Sequence, residues 1–272
     1  MGSLAVNSTV PYQLIIVNNS PDDPAIYPLA MEGVVILDAP GNIGYGRGCN
    51  LGLMWVYQQD PQAIVWLINP DAYLRENSLD QAWHFWQHYP EVAILGTVIY
   101  EPNGQLWFAG GEFNPQNGWI AASQTLKVPA TVAYQPMPWV SGCSLFIHLK
   151  CFSECPQFDP DYFLYYEDFD LCQRYQKQGY LVAFTPHISV VHYPSSITQR
   201  NPDLKFKQGI YSYLIALEKH TVPGVFWYRV IRITLVSCFS LITHWKLATA
   251  KLGTLWQYFQ TIRKTIVPQK SP

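Results

Sequence analysis

With 272 residues the chain is long enough for one large α/β domain and a small appendage, and a net charge of −2 excludes the broad electrostatic pull that nucleic-acid binders use. Hydrophobic residues make up 49% and charged residues 13%, yet no apolar run is long and clean enough to span a bilayer. The six cysteines are scattered through a chain too large to need stapling, so they read as reduced, cytosolic thiols.

The start shows no charged-then-apolar signal peptide, and Val6 stands where a myristoylation signal wants Ser or Thr. Residues 14–17 form the first apolar strand, stopped by Asn18-Asn19-Ser20-Pro21. Residues 34–37 give a second strand, ended by Pro40-Gly41-Asn42, and a helical pattern runs from Asn50 to about Tyr57. Residues 64–68 are a continuous apolar strand leading straight into Asn69-Pro70-Asp71. A helix at 80–89 and a strand at 92–100 follow, so strands alternate with helices and imply a mostly parallel sheet. Turn signals between 101 and 118 suggest hairpins, and 139–147 reads as a strand holding the small residues Ser141, Gly142 and Cys143. Residues 167–178 read as a helix with an acidic start and a basic end, stopped by Gly179. Short strands are expected at 181–184 and 188–192.

After Glu218 there is no Asp or Glu at all, while Lys219, Arg229, Arg232, Lys246, Lys251, Arg263, Lys264 and Lys270 remain among aromatic and aliphatic residues. Such a helical tail either lies in the surface of an anionic membrane or packs on the domain with a solvated basic face. Cys151 and Cys155 with His187 and His192 loosely resemble a zinc pattern, but the gap between the pairs is too long for a finger.

Three segments can carry chemistry. Asn69-Pro70-Asp71 ends a buried strand, where open α/β sheets bind ligands; its carboxylate can reach a divalent cation, or it is simple turn chemistry. The loop Asn42-Ile43-Gly44-Tyr45-Gly46-Arg47-Gly48-Cys49-Asn50 could bring backbone N–H groups and Arg47 to a phosphate, or be a plain connection. Glu167, Asp168 and Asp170 crowd three acids beside Tyr165, Tyr166 and Phe169. Crowding and apolar rings raise a carboxyl pKa toward that of a general base, although helix N-terminal charge alone also accounts for acids there. His192 is either an ordinary histidine or the imidazole that completes a metal site.

In this order, the segments resemble the bacterial family 2 glycosyltransferases, in particular the rhamnosyltransferase branch. The resemblance rests on residues 14–20, 42–52, 67–72, 140–143 and 158–174 and ends near His192. It implies an α/β fold of GT-A type at residues 1–203, a basic, aromatic helical extension at 204–272, and an inverting transfer from a nucleotide-diphospho-sugar. By matching position, Asp71 is the metal ligand of a DxD-type motif, with Asn69 in place of its first Asp and Mg²⁺ or Mn²⁺ as the cofactor. Asp168 is the base toward the acceptor hydroxyl, with Glu167 orienting it. His192 is a second metal or diphosphate contact. Asn18 and Asn19 fall where the family grips the nucleoside, and Gly44, Arg47 and Asn50 fall in its donor loop. Ser141, Gly142 and Asp170 fall at the donor–acceptor junction.

The family usually has Asp at the position of Asn18. Its members also start with a strand and a helix ahead of the segment matching 14–17, of which 3–9 here matches only the helix end. The implied donor is dTDP-rhamnose or a related nucleotide-sugar, and the implied acceptor is a polysaccharide or lipid-linked glycan. The competing expectation is a non-catalytic relative that binds a glycan or a protein partner.

Overall fold

The computed structural model describes residues 10–22, 24–75, 77–193 and 202–266, with side chains described as far as 261. The helix end expected at 3–9 and the side chains of Arg263, Lys264 and Lys270 lie outside the described residues. The chain divides into two compact units: Met1–Phe113, Ile120–Phe163 and Glu167–Ser195 form the first, and Asn114–Trp119, Leu164–Tyr166 and Ser196–Pro272 form the second.

In the first unit, strands β1 (Leu14–Asn18) and β2 (Val34–Asp38) pair in parallel, in register Leu14 to Val34 through Asn18 to Asp38. Helix α1 (Tyr45–Gln59) starts five residues before the sequence pattern turns helical at Asn50. Those extra residues include Gly46 and Gly48, each costing a helix about 1 kcal/mol relative to Ala. Gly46 is required, because a Cβ there would press on Phe158, at 2.9 Å; nothing comparable crowds Gly48.

The main sheet follows the order β3 (Ile64–Ile68), β10 (Ser144–His148), β5 (Val92–Tyr100), β11 (Leu181–His192), β4 (Ala72–Leu74). It is mixed: β5 and β11 run parallel, whereas β10 is antiparallel to both its neighbours and β4 is antiparallel to β11. The sequence pattern points to a mostly parallel sheet because it places helices between strands. It misses that β10 arrives after the excursion through β6 (Leu106–Phe108), β7 (Gly111–Asn114), β8 (Trp119–Ala122) and the short β9 (Gln135–Pro136) and enters the sheet reversed.

Strand β5 is buried along nearly its whole length, as a continuous apolar run covered on both faces must be. Side chains alternate between the two faces. Leu145, Ile147, Val182 and Phe184 meet Leu53 of α1 and Leu171 of helix α3 (Glu167–Lys177), while Phe146 and Ala183 meet Ala82, Phe85 and Trp86 of helix α2 (Ser78–His88). Each such fully buried large side chain stabilises the fold by about 1.5–3 kcal/mol.

Two expected elements change shape. Residues 181–184 and 188–192 are one strand, β11, with a register shift between Phe184 and Ser189. Pro186 has no N–H to donate, and the bulge absorbs it. The strand expected at 139–147 begins only at Ser144, because Ser141 to Ser144 closes a turn in which the Ser144 amide donates to the Ser141 carbonyl at 3.2 Å.

The second unit holds helices α4 (Pro202–His220), α5 (Pro223–Ser240) and α6 (Trp245–Ile266). Its core includes Leu214, Leu217, Phe226, Val230 and Tyr258, and the Tyr258 hydroxyl donates to Glu218 at 2.6 Å. Tyr165 and Tyr166 both take left-handed backbone conformations, φ 71° and 65°, a strained pair for aromatic residues. Ser212 holds the turn by donating to the Leu164 carbonyl at 2.7 Å, and the Tyr213 ring packs 5.6 Å from that of Tyr166.

Candidate active site

All of the following lies in the first unit. Strand β3 delivers Asn69-Pro70-Asp71 to its C-terminal end, where the Ala72 amide closes a turn on the Asn69 carbonyl at 3.0 Å. The chain then reverses into β4, whose register on β11 sets Ala72 beside His192. That pairing brings His192 Nε2 to 3.2 Å from Asp71 Oδ1. Both side chains are largely buried, and the Trp107 ring lies edge-on to His192 at 4.9 Å.

The turn at Ser141-Gly142-Cys143 joins the two acids. On one side the Asn69 amide donates to the Cys143 carbonyl at 3.0 Å. On the other, the Gly142 amide donates to Asp168 Oδ2 at 2.8 Å, while the Phe169 amide donates to Asp168 Oδ1 at 2.8 Å. The Cys143 thiol is pushed up first by burial and then by the negative charges of both Asp71 and Asp168. Residues 97 positions apart in sequence therefore act on one sulfur, and Asp71 and Asp168 flank the same turn.

The adjacent carboxyls Glu167 and Asp168 meet different surroundings. Burial pushes the Asp168 carboxyl up, opposed by amides including those of Gly142 and Phe169, which favour the anion. Glu167 sits against Gly46 at the start of α1, and its Oε2 is buried without a hydrogen-bond partner. Burial, then the charge of Asp168, pushes it up to about 8. Burial raises both carboxyls; the Gly142 and Phe169 amides favour the Asp168 anion, while Glu167 Oε2 has no hydrogen-bond partner.

This has a consequence for stability. A carboxyl raised in the folded state holds its proton longer than in the unfolded chain, so stability is full below about pH 4.5 and is lost as pH rises through about 8. Glu167→Gln removes that loss. Its melting temperature is expected to match the parent in acid and to exceed it increasingly between pH 5 and 8, by on the order of a few kcal/mol in stability. A difference that stays flat with pH would show Glu167 ionised like an ordinary surface glutamate.

Several expected donor or acceptor contacts are engaged elsewhere. Asn50 spends both ends of its amide on Phe158, Nδ2 donating to the carbonyl at 2.8 Å and Oδ1 accepting the amide at 2.7 Å. Arg47 points its guanidinium at the Pro160 carbonyl, with Nε at 2.9 Å. Both residues clamp 158–160 to α1. Asn50→Ala would strip two backbone groups of their partner and is expected to cost about 1–3 kcal/mol, read by denaturant unfolding.

Asn19 likewise binds its own loop, donating to the Gly44 carbonyl at 3.1 Å and accepting from the Ile43 amide at 3.0 Å. Asn18 is buried and donates to Asp38 at 2.9 Å. Gly44, at φ 90°, lets the chain pass the Phe163 carbonyl, a place where no side chain fits. Asp170 is fully buried and paired with Arg174 at 2.6 Å. Gly142 packs against Tyr45, whose hydroxyl donates to the Gly142 carbonyl at 2.5 Å. Ser141 accepts the Cys143 amide at 3.3 Å and so stiffens the turn.

Sequence reasoning missed Tyr45 and Trp107. Only the aromatic load, ten Trp and eighteen Tyr, hints at such walls, and it does not say which ring goes where.

A cation could be held at the end of β3. Asn69 Oδ1 and His192 Nδ1 are buried without a hydrogen-bond partner, beside the Asp71 carboxylate. Among the described residues no three His, Cys, Asp or Glu side chains converge on one point. The arrangement suits a hard cation that takes few protein ligands and completes its shell with substrate phosphates and water. It does not suit a closed zinc cage. Cys151 instead lies 3.5 Å from His148, and His187 faces the Val132 carbonyl at 2.9 Å.

Comparison with known proteins places the chain in a family. The N-acetylglucosaminyl-diphospho-decaprenol L-rhamnosyltransferase of Mycobacterium tuberculosis (strain CDC 1551 / Oshkosh) is 26% identical over 269 residues, covering 90% of this chain and 86% of its own. The low-salt glycan biosynthesis hexosyltransferase Agl10 of Haloferax volcanii is 20% identical over 184 residues, covering 66% of this chain and 58% of its own. The crystal structure of GalNAc-T7 with UDP, GalNAc and Mn²⁺ superposes with a TM-score of 0.51 at 13% identity, over 76% of this chain and 41% of that one, and shows a shared fold. The pattern of the family described as "Glycosyl transferase family group 2" matches residues 64–266, more than half of the chain. The chain belongs to that family and is a glycosyltransferase of GT-A fold.

Proposed function

We propose that the enzyme is a metal-dependent, inverting transferase that moves a sugar from a nucleotide-diphospho-sugar to a hydroxyl of a polysaccharide or lipid-linked glycan. Rhamnose from dTDP-rhamnose is the first donor to test, because the relative that aligns with 90% of the chain is named as an L-rhamnosyltransferase acting on a diphospho-decaprenol. The observation that supports the reading is that one turn, 141–143, meets both motifs: its Cys143 carbonyl accepts the Asn69 amide and its Gly142 amide donates to Asp168. In this reading the enzyme serves cell-wall or polysaccharide synthesis from the cytoplasmic face of a membrane.

Asp71, with Asn69 and His192 beside it, would hold Mg²⁺ or Mn²⁺, which when bound neutralises charge on the diphosphate. The Trp107 ring, 4.9 Å from that of His192, would wall that end of the site. Asp168, whose carboxylate accepts the Gly142 and Phe169 amides, would face the acceptor. Its carboxylate takes the proton of the acceptor hydroxyl as that oxygen forms a bond to the anomeric carbon. The bond from the anomeric carbon to the diphosphate oxygen breaks at the same time, and its electron pair leaves with the nucleoside diphosphate. One displacement inverts the anomeric centre. Glu167, pushed up by burial and by the charge of Asp168, would keep a second negative charge out of the site. The nucleoside end would lie near Asn18, Asn19 and the loop at Gly44, which these residues shape through their own hydrogen bonds.

The test is a thermal-shift screen of nucleotide-sugars with and without Mg²⁺ or Mn²⁺. A true donor at a hundredfold excess over its Kd stabilises the fold by about 2.7 kcal/mol, and only when metal is present. Absence of any donor-dependent shift across dTDP-, UDP- and GDP-sugars would end the proposal.

A further inference from the structure

Helix α5 is apolar on two opposite faces. Phe226, Val230 and Ser237 are buried in the core of the second unit. On the other side Tyr228, Ile231, Leu235, Phe239 and Ile242 recur every three or four residues and stand in solvent. Exposure rises toward the turn between α5 and α6: Phe239 is 80% exposed, Ile242 93% and Trp245 62%. Trp227 and Trp256 add two more exposed indoles. The stripe is about as long as α5, roughly 27 Å at 1.5 Å per residue. Isolated exposed apolar residues need no explanation, but a continuous stripe ending in bare aromatic rings does.

The charges around it select the occupant. No acid follows Glu218 in the sequence, while Arg232, Lys246 and Lys251 remain on α5 and α6. Lys246 Nζ lies 5.8 Å from the Trp245 ring at the turn. A second copy of the same surface would bring cations against cations. A surface of anionic phospholipid headgroups would accept the cations and bury the rings at the headgroup level, where indoles are favoured. Among the described residues no helix is long and apolar enough to cross a membrane, so the stripe fits a bilayer surface rather than a span.

We infer that the outer stripe of α5 and the α5–α6 turn dock on an anionic lipid bilayer, with Phe239, Ile242 and Trp245 entering the headgroup layer. The inference deepens the membrane-face part of the proposed function and is independent of the transfer chemistry.

The test uses the full chain with vesicles of phosphatidylcholine alone or mixed with phosphatidylglycerol. The protein is expected to sediment with the mixed vesicles and not with phosphatidylcholine. The triple variant Leu235→Gln, Phe239→Ser, Ile242→Ser is expected to lose most of that binding at an unchanged melting temperature, since all three side chains are solvent-exposed. Arg232→Gln and Lys246→Gln are each expected to weaken binding about fivefold, and rising salt to do the same. Equal binding by the triple variant, or no binding by the parent, overturns the inference. So does a dimer in sedimentation velocity that the triple variant dissolves, which would make the stripe a self-interface. Vesicle binding without any donor-dependent thermal shift would instead sink the transfer reading and leave the docking surface standing.

Discussion

Asp168→Asn is expected to lower sugar transfer by about 10²–10⁴-fold, the contribution of a positioned general base, while donor binding changes little. The substitution keeps the size of the side chain and one oxygen. It replaces the other oxygen with an amide nitrogen, which must face the amide of either Gly142 or Phe169, both now donating at 2.8 Å. Donor against donor loosens the turn slightly, so a modest drop in melting temperature accompanies the loss of rate. The decisive comparison is kcat against donor Kd. Transfer at near parental rate would remove Asp168 from the mechanism, and a parallel loss of donor affinity would recast it as a donor-site residue.

Asp71→Ala should act at the opposite end of the reaction. Asp71 Oδ1 lies 3.2 Å from His192 Nε2, so its loss removes a negative charge from the place where a cation would sit. Removing even the support of a metal ligand commonly costs 10–100-fold in metal affinity, and the ligand itself is expected to cost at least about that much. Titration of donor into the variant at fixed Mn²⁺ should therefore show weak binding that added metal does not restore. His192→Ala should fall between the variant and the parent. If Asp71→Ala binds donor as tightly as the parent with the same metal dependence, the cation site lies elsewhere.

The two variants separate the roles because the two acids share a turn without touching. Asn69 reports to the Cys143 carbonyl and Asp168 to the Gly142 amide. A change that disturbed only this turn would impair both binding and rate together. Gly142→Ala, which crowds Tyr45 at 3.1 Å, is a natural control of that kind.

Strands with unbroken apolar runs were legible without coordinates. Residues 64–68 and 92–100 carry their boundaries in composition, since each is flanked by turn formers and filled with β-branched or aromatic side chains. Helix α3 was legible for a related reason: its acidic first turn and basic last turn mark both ends. Helix α1 was misjudged at its start, because glycines look like loop in isolation and only Phe158 and Phe163, more than a hundred positions away, justify them. Arg47, Asn50 and Asp170 read as ligand contacts from their motifs. A polar side chain in a motif does not announce whether its partner is a substrate or a backbone group such as Phe158 or an ion-pair partner such as Arg174.

The sequence by itself determined the α/β class, the end of β3 as the place of Asp71, the N-terminus of α3 as the place of Glu167 and Asp168, and the absence of acids beyond Glu218. These are local matters, decided by periodicity, turn chemistry and charge within a few residues. Long-range packing alone set β10 against both its neighbours, brought His192 to Asp71 through the β4–β11 register, and left Glu167 Oε2 without the amide partners that Asp168 has. Strand register and burial depend on contacts between distant segments, and a carboxyl's proton affinity follows from how much water those contacts remove.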